Sequence, residues 1–434
     1  MNFQLSPDQT AAIDGIYREL LDINPEVSAL AVLTGSAGTG KTTVIKELIR
    51  RIQNHATDPH IVLCATTNRA ATVLQDIVGY DVQTGHTAFK LRPTITRYGK
   101  EVLKASGNCT IPHNSIVIID EASMIGNQFL KAIVEIVRER ALKLLFVGDP
   151  FQLPPPSDAC SIFDGSLVTF MLTKVHRQNE GNPILDKAIE YRDYIAGIRQ
   201  DEPVLDTCIN SAGEGICVLP HRDFVSQFVQ KYVDYTAGSA VDAPLCTFTN
   251  ESAINYNNMI RKAAYFLEDI IAPFYVGERL IASSIVKDRN QYDKTVLTNN
   301  ETVTVKSFTE SEYKDIRGHM VTVQGDYNKH TKSNIKQVFV PITKVAADKV
   351  LNALKKQALS SSSNTSWIDF YAVKNTLADL RPPFAGTTHK AQGGTFPAVF
   401  VDRTNIMKCR DTMTRARLLY VALTRASKNV YINA

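Results

Sequence analysis

The chain has 434 residues, 44% hydrophobic and 21% charged, with a formal net charge of +4 and seven cysteines that include no Cys-x-x-Cys pair. That length asks for more than one core and that composition for a soluble globular protein. With no apolar run of the roughly 18 residues that span a bilayer, and no secretory pattern in MNFQLSPDQT, a cytoplasmic protein with reduced core cysteines is expected. So small a charge excludes the strongly basic class. Residues 281–360 hold 13 Lys and Arg against 8 Asp and Glu, an excess that suits a phosphate backbone or an ordinary solvated surface.

Residues 1–25 place Ala12, Ile13, Ile16, Leu20 and Leu21 at helical spacing behind Ser6-Pro7-Asp8-Gln9. Ser6 as N-cap, Pro7 at the first helical position and Gln9 three residues after the cap make a capping box. The stretch Leu30–Ile45, LAVLTGSAGTGKTTVI, organises the rest of the chain: an apolar strand, a glycine-rich turn, and a helix with Val44, Ile45, Leu48, Ile49 and Ile52 on one face. This is the Walker A template in the setting it needs. Gly35, Ala37, Gly38, Thr39 and Gly40 can wrap backbone N–H groups around a phosphate chain, and the helix N-terminus adds its dipole. Lys41 can reach the β- and γ-phosphates, and Thr42, beside Thr43, can ligate Mg²⁺. The alternative is a plain glycine-rich turn between strand and helix.

Three further strand runs, Ile61–Ala65, Ser115–Ile119 and Leu144–Val147, end in Thr66-Thr67-Asn68-Arg69, Asp120-Glu121-Ala122-Ser123 and Gly148-Asp149-Pro150-Phe151-Gln152. Strands alternating with helices predict a parallel sheet, whose ligands sit at the carboxyl ends of the strands. Asp120 is placed to hold Mg²⁺ and Glu121 to activate the attacking water; an acidic pair capping a helix start is the alternative. Gln152 is read as a γ-phosphate contact and Asp149 as a structural residue closing the loop. Residues 83–114 read as an inserted hairpin. There Arg92, Arg97, Lys100 and Lys104 interleave with Phe89 and Tyr98, which suits a single-stranded nucleic acid as well as an ordinary surface hairpin.

In the second half, Arg177 follows a short apolar strand in LTKVHRQN, and Ile184–Ile198 is helical. A second αβ core begins near Gly215, with strands at Ile216–Leu219 and Ala243–Phe248, Thr249-Asn250 at the end of the latter, and a helix over Ile254–Leu267. From Tyr275 to Asp379, short runs at Arg279–Ile281, Thr302–Val305, Met320–Val323 and Gln337–Val340 predict a small β-barrel, followed by a helix over Lys344–Leu359. Trp367 reads as a packing residue. The chain returns to the second core with Thr387-Thr388-His389-Lys390, a strand at Ala398–Val401 and the terminal LLYVALTRA. Its Arg425 is either a cation at a helix C-terminus or an arginine reaching the γ-phosphate from the second core.

In this order the clusters resemble the motifs of superfamily 1 helicases, and the branch they resemble is the 5′-to-3′ one holding RecD and the phage Dda helicase, closest to the Dda-like members. Gln9 matches the glutamine that reads the adenine edge. GSAGTGKTT, ATTNRAA and TGHTAF are similar to motifs I, Ia and Ib, DEAS and GDPFQLPP to motifs II and III, and Arg177 in VHRQ corresponds to motif IV. Thr249-Asn250 take the motif IVa position, THKAQGGT looks like motif V and YVALTRA like motif VI, while Asn68 stands where Dda-like relatives carry His.

The resemblance implies an α/β fold of two tandem RecA-like parallel-sheet domains. Domain 1A would cover residues 1–82 and 115–180, a hairpin insertion 1B with the strand-splitting pin 83–114, domain 2A residues 181–278 and 381–434, and an SH3-like β-barrel insertion 2B residues 279–380. It implies ATP and Mg²⁺ clamped between the cores, Thr42 and Asp120 holding the metal, and Lys41, Asp120, Glu121, Gln152, Arg177 and Arg425 catalytic. A DNA strand would be gripped by Thr66, Asn68, His86, Phe89 and Tyr98 on one side and Asn250, Thr388, His389 and Lys390 on the other.

The implied function is an ATP-dependent helicase moving 5′ to 3′ on single-stranded DNA and acting at junctions with duplex. It is expected as a monomer of a bacterial or phage-infected cytoplasm, with replication or single-strand-binding proteins as partners and no membrane. Two other classes stay open on the residues alone: a P-loop NTPase that uses nucleotide as a conformational switch without strand separation, and a non-catalytic nucleic-acid-binding module, against which the Asp120-Glu121 pair argues.

Overall fold

Apolar strand runs alternating with amphipathic helices build two RecA-like parallel sheets, and smaller antiparallel sheets are inserted into them. The computed structural model describes residues 5–21, 27–55, 59–95, 101–105, 109–155, 158–174, 181–233, 242–265, 268, 272–291, 294–325, 335–360 and 365–434; Tyr98, Arg97, Lys100 and Arg177 lie outside them.

Helix α1 (Pro7–Leu21) starts at the proline and buries Ile13, Ile16 and Leu20, each contributing roughly 2 kcal/mol by leaving water. Next come β1 (Ala29–Gly35), α2 (Lys41–Gln53), β2 (Ile61–Ala65), α3 (Asn68–Val78), β3 (Val82–Thr84), the single turn α4 (Gly85–Ala88) and the hairpin β4 (Leu91–Ile95) and β5 (Glu101–Ala105). Strand β6 (Ile116–Asp120), helix α5 (Asn127–Glu139) and strands β7 (Lys143–Gly148) and β8 (Val168–Leu172) complete the first core. Its sheet has the order β3-β2-β6-β7-β1-β8 and is parallel throughout. A parallel sheet is covered on both faces, so its strands are apolar on both. Leu33, Leu63, Ile118 and Leu145 meet α1, α2 and α3, while Val32, Val117, Ile119 and Phe146 meet α5.

The second core runs through α6 (Pro183–Ile195), β9 (Cys208–Ile209), β10 (Gly215–Leu219), α7 (His221–Val233), β11 (Leu245–Thr247) and α8 (Asn250–Ala264). It is interrupted by β12 (Arg279–Ala282), β13 (Val286–Lys287), β14 (Thr295–Leu297), β15 (Thr302–Tyr313), β16 (Ile316–Gly325), β17 (Ile335–Pro341), α9 (Lys344–Ser360), α10 (Thr365–Thr376) and β18 (Leu380–Arg381). It resumes with β19 (Ala385–Thr387), α11 (Thr388–Ala391), β20 (Phe396–Val401), α12 (Arg403–Ile406), α13 (Thr412–Arg425) and β21 (Ala426–Asn433). The sheet order is β19-β11-β20-β21-β10-β9, parallel except for the edge pair β9 and β10. The interrupting segment forms an antiparallel sheet β17-β16-β15-β12-β18 and a β13–β14 pair around Leu280, Val303, Val321 and Val338.

Some elements differ from expectation. β15 and β16 run for 12 and 10 residues because their pairing continues past the apolar runs into polar, half-exposed positions. β8 is the short apolar strand expected ahead of Arg177, yet at the sheet edge only its Leu172 is buried. The cysteines are all free, but Cys208 is exposed and Cys160 and Cys217 are half-buried, so the core expectation holds for Cys64, Cys109, Cys246 and Cys409 alone. Among the described residues no helix is long and apolar enough to cross a membrane.

Candidate active site

Each apolar strand of the first sheet delivers its polar chemistry at its carboxyl end. After β1 the loop into α2 needs left-handed backbone at Gly38 (φ 84°) and Gly40 (φ 81°), a conformation that a Cβ disfavours. At Gly40 that Cβ would also stand 2.4 Å from Gln9 Nε2. Lys41 Nζ donates to the Gly35 and Ser36 carbonyls at 2.8 and 3.0 Å, and Thr39 Oγ1 to the Ser36 carbonyl at 2.9 Å. Gln9, buried in α1, uses both ends of its amide. Oε1 accepts the Ser6 N–H at 3.0 Å, which closes the capping box, and Nε2 donates to the Thr39 carbonyl at 3.1 Å.

After β6, Asp120 Oδ1 accepts the Glu121 N–H at 2.8 Å. Burial and the neighbouring Glu121 charge raise the Asp120 carboxyl above its ordinary range, against the pull of Lys41. Glu121 is left-handed at φ 54°, ψ 41°, a strained state for a residue with a side chain and one concentrated at functional turns. The turn is held by the Glu121 carbonyl, which accepts the Met124 N–H at 3.1 Å and the Thr66 hydroxyl at 3.3 Å.

After β7, Asp149 is fully buried and structural: Oδ1 accepts the Phe151 N–H at 3.0 Å and Oδ2 the Tyr420 hydroxyl at 2.7 Å. Gln152 is buried, and its Oε1 has no partner among the described residues.

Arg425 ends α13 and is only 3% exposed. Its Nη1 donates to the Gly394 carbonyl and its Nη2 to the Thr424 hydroxyl, both at 3.3 Å, while Nε is unpartnered among the described residues. A cavity of about 340 Å³ has Gln9, Lys41, Thr42, Asp120, Glu121 and Gln152 in its first-core wall, with Ala37, Gly38, Gly40 and Thr43 beside them. Gly393, Thr395 and Arg425 of the second core close it. Gly35 and Thr39 build the loop from behind rather than lining the cavity.

Thr42 and Asp120 fit an ion that arrives on a triphosphate. A hydroxyl and a carboxylate beside a second, all lining this cavity, are oxygen donors of the kind Mg²⁺ takes. Among the described residues no group of three or more His, Cys, Asp or Glu is arranged to hold a metal.

The expected strand contacts separate into groups. Thr66 and His86 line a cavity of about 300 Å³ on the first core, where His86 stands edge-on to Phe129 at 5.2 Å. Asn250 and Lys390 line a cavity of about 580 Å³ between the second core and the inserted sheet; Asn250 Oδ1 accepts Arg381 Nη1 at 3.1 Å and Lys390 Nζ donates to Ser283 Oγ at 3.3 Å. Asn68 Nδ2 donates to the Asn299 carbonyl at 3.3 Å, bridging the first core to a turn of the insertion. His389 is half-buried, and burial lowers its pKa.

Two expectations are corrected. Phe89 is 0% exposed and packs edge-on to Phe129 at 6.1 Å, so it offers no face for a base. Thr388 is equally buried, and its hydroxyl donates to the Thr247 carbonyl at 3.1 Å, which tethers α11 to β11 instead of presenting the group to a strand.

Other residues at the junction of the cores went unread in the sequence. The Arg69 guanidinium lies 4.7 Å over the Phe396 ring. Arg417 Nη1 donates to the Pro150 and Gln152 carbonyls at 2.7 and 2.8 Å, and Gln392 Nε2 to the Leu153 carbonyl at 3.2 Å.

Residues 4–198 match the family model of an AAA domain, and residues 383–433 match that of the UvrD-like helicase C-terminal domain. The uncharacterized protein R530 of Acanthamoeba polyphaga mimivirus is 21% identical over 94% of this chain and 96% of its own. The ATP-dependent DNA helicase dda of Enterobacteria phage T4 is 23% identical over 92% and 93%. The ATP-dependent RecD2 DNA helicase of Deinococcus radiodurans is 31% identical over 37% of this chain, a match that spans 21% of the RecD2 protein. The chain carries a superfamily-1-like helicase domain, similar to those of RecD and Dda proteins, and is an ATP-hydrolysing enzyme.

Proposed function

We propose that this enzyme is an ATP-dependent DNA helicase of the 5′-to-3′ branch, nearest to the Dda-like members, which translocates on single-stranded DNA and couples hydrolysis to strand separation or protein displacement. The observation that carries the reading is the cavity walled by both cores, with Lys41, Asp120 and Glu121 on one side and Arg425 on the other. A nucleotide bound there draws the two lobes together, and its hydrolysis releases them.

In this reading Lys41 leaves the Gly35 and Ser36 carbonyls for the β- and γ-phosphates, and Glu121 takes the proton of the attacking water. Gln152 contacts the γ-phosphate, while Arg425 and Arg177 stabilise its developing charge. Thr42 and Asp120 would hold Mg²⁺, which would supply positive charge against that of the phosphates. Thr66, Asn68 and His86 hold the strand on the first core, and Asn250, His389 and Lys390 on the second. Alternating grip between the two advances the protein along the strand. Opening one base-pair step costs about 1.4 kcal/mol, which a single hydrolysis exceeds.

The hairpin β4–β5 is read as domain 1B with its pin, and the inserted sheet with α9 and α10 as the barrel-type domain 2B. Action as a monomer, at single-strand/duplex junctions and beside replication or single-strand-binding proteins, completes the proposal. Purified protein is tested for ATP hydrolysis with and without a single-stranded oligonucleotide, then for unwinding of duplexes with a 5′ or a 3′ tail. Stimulation and opening of the 5′-tailed duplex are expected. Hydrolysis indifferent to DNA would replace the helicase with a nucleotide switch, and opening only the 3′-tailed duplex would remove the branch.

A further inference from the structure

Besides bonds of its own, from the Phe151 and Gln152 N–H groups to Asp149, the loop after β7 takes four hydrogen bonds from side chains of the other core. Arg417 takes the carbonyls of Pro150 and Gln152, Gln392 that of Leu153, and Tyr420 the buried carboxylate of Asp149. Tyr420 and Ala37 of the phosphate loop line one small cavity behind that loop. Tyr420 is 1% exposed. Apolar side chains at a domain junction tolerate sliding, whereas buried hydrogen bonds of fixed direction do not, since each one broken leaves a desolvated group unpaired. Arg417 and Tyr420 stand on α13, the helix that ends in Arg425; eight residues of helix set Arg417 and Arg425 about 12 Å apart along its axis.

We infer that Arg417 and Tyr420 are positioning residues for hydrolysis: through backbone carbonyls and Asp149 they hold Gln152 of the first core in register with Arg425 of the second, so that both meet the γ-phosphate in one arrangement. The inference rests on the proposed roles of Gln152 and Arg425. It gives the enzyme a requirement for interlobe alignment that neither residue supplies alone.

The full chain is tested as Tyr420→Phe, which removes one hydroxyl, and as Arg417→Ala and Arg417→Lys. Loss of one such bond is expected to lower kcat for DNA-stimulated hydrolysis about tenfold, with KM for ATP moved less than about threefold. Arg417→Lys recovers part of the Arg417→Ala loss. Added to Gln152→Ala, Tyr420→Phe costs nothing further, because the group it positions is gone. Unchanged kcat with a lowered melting temperature, or losses that multiply in the double variant, overturns the inference. Should Tyr420→Phe fail to fold, the comparison of Arg417→Lys with Arg417→Ala decides on the same criteria. If Gln152→Ala itself leaves kcat untouched, the role of Gln152 falls and the inference with it. An impaired Gln152→Ala beside a normal Tyr420→Phe sinks the inference alone.

Discussion

Gln9 Nε2 donates to the Thr39 carbonyl at 3.1 Å, so helix α1 is bonded to the glycine-rich loop between β1 and α2. Gln9→Ala removes that bond together with the capping contact to Ser6. KM for ATP is expected to rise roughly tenfold, with a smaller change in kcat. Steady-state hydrolysis across ATP concentrations checks it, and an unchanged KM would reduce Gln9 to a helix cap.

Lys41→Ala is expected to abolish hydrolysis, and unaltered turnover would refute the phosphate site. Arg425→Ala should keep nucleotide binding near normal, followed with a fluorescent ATP analogue, while turnover falls by about 10³ or more. Lost binding instead would assign Arg425 a structural role, in keeping with its bond to the Gly394 carbonyl.

Gly40→Ala places a Cβ on a left-handed residue and against Gln9 Nε2. We expect about 1–2 kcal/mol of destabilisation from the backbone alone, read as a lower urea midpoint, and weaker ATP binding because the loop must rebuild around the clash.

Asp8 predicts an acid limb in the stability profile. Burial alone would raise its carboxyl, but hydrogen bonds from Ser6 and from the backbone of Lys174, Thr173 and Gln9 outweigh it and lower the pKa to about 2 from an ordinary 3.8. Because the folded value is depressed, the stabilisation is complete above pH 3.8 and is lost as pH falls from there toward 2. Urea midpoints measured across that window should fall less steeply for Asp8→Asn than for the parent chain, and coincident slopes would refute the assignment.

Phe89→Ala distinguishes a core residue from a stacking platform. At 0% exposure against Phe129 the substitution should cost about 3–5 kcal/mol of stability. Wild-type stability with weakened oligonucleotide binding would restore Phe89 to the strand path.

The phosphate loop, the two carboxylates after β6 and the arrangement of cores were legible because they demand particular residue types next to apolar runs, and those adjacencies survive in one dimension. Which way a side chain faces is less accessible. In TGHTAF a single turn of helix leaves His86 exposed and drives Phe89 inward, and nothing in the string distinguishes the two. Arg417 and Tyr420 were invisible for another reason: Arg417 bonds a carbonyl 267 residues earlier, and a carbonyl carries no residue type. β21 escaped because ASKNVYIN is polar for a central strand, and its place between β20 and β10 comes from the sheet around it.

Helix α13 ends at Arg425 and β21 begins at Ala426, without a connecting loop. The guanidinium is therefore mounted on the peptide that starts an inner strand of the second sheet, flanked on both sides by paired neighbours. With no loop to absorb it, a shift of the α13 backbone at Arg425 is a shift of the first residue of that strand.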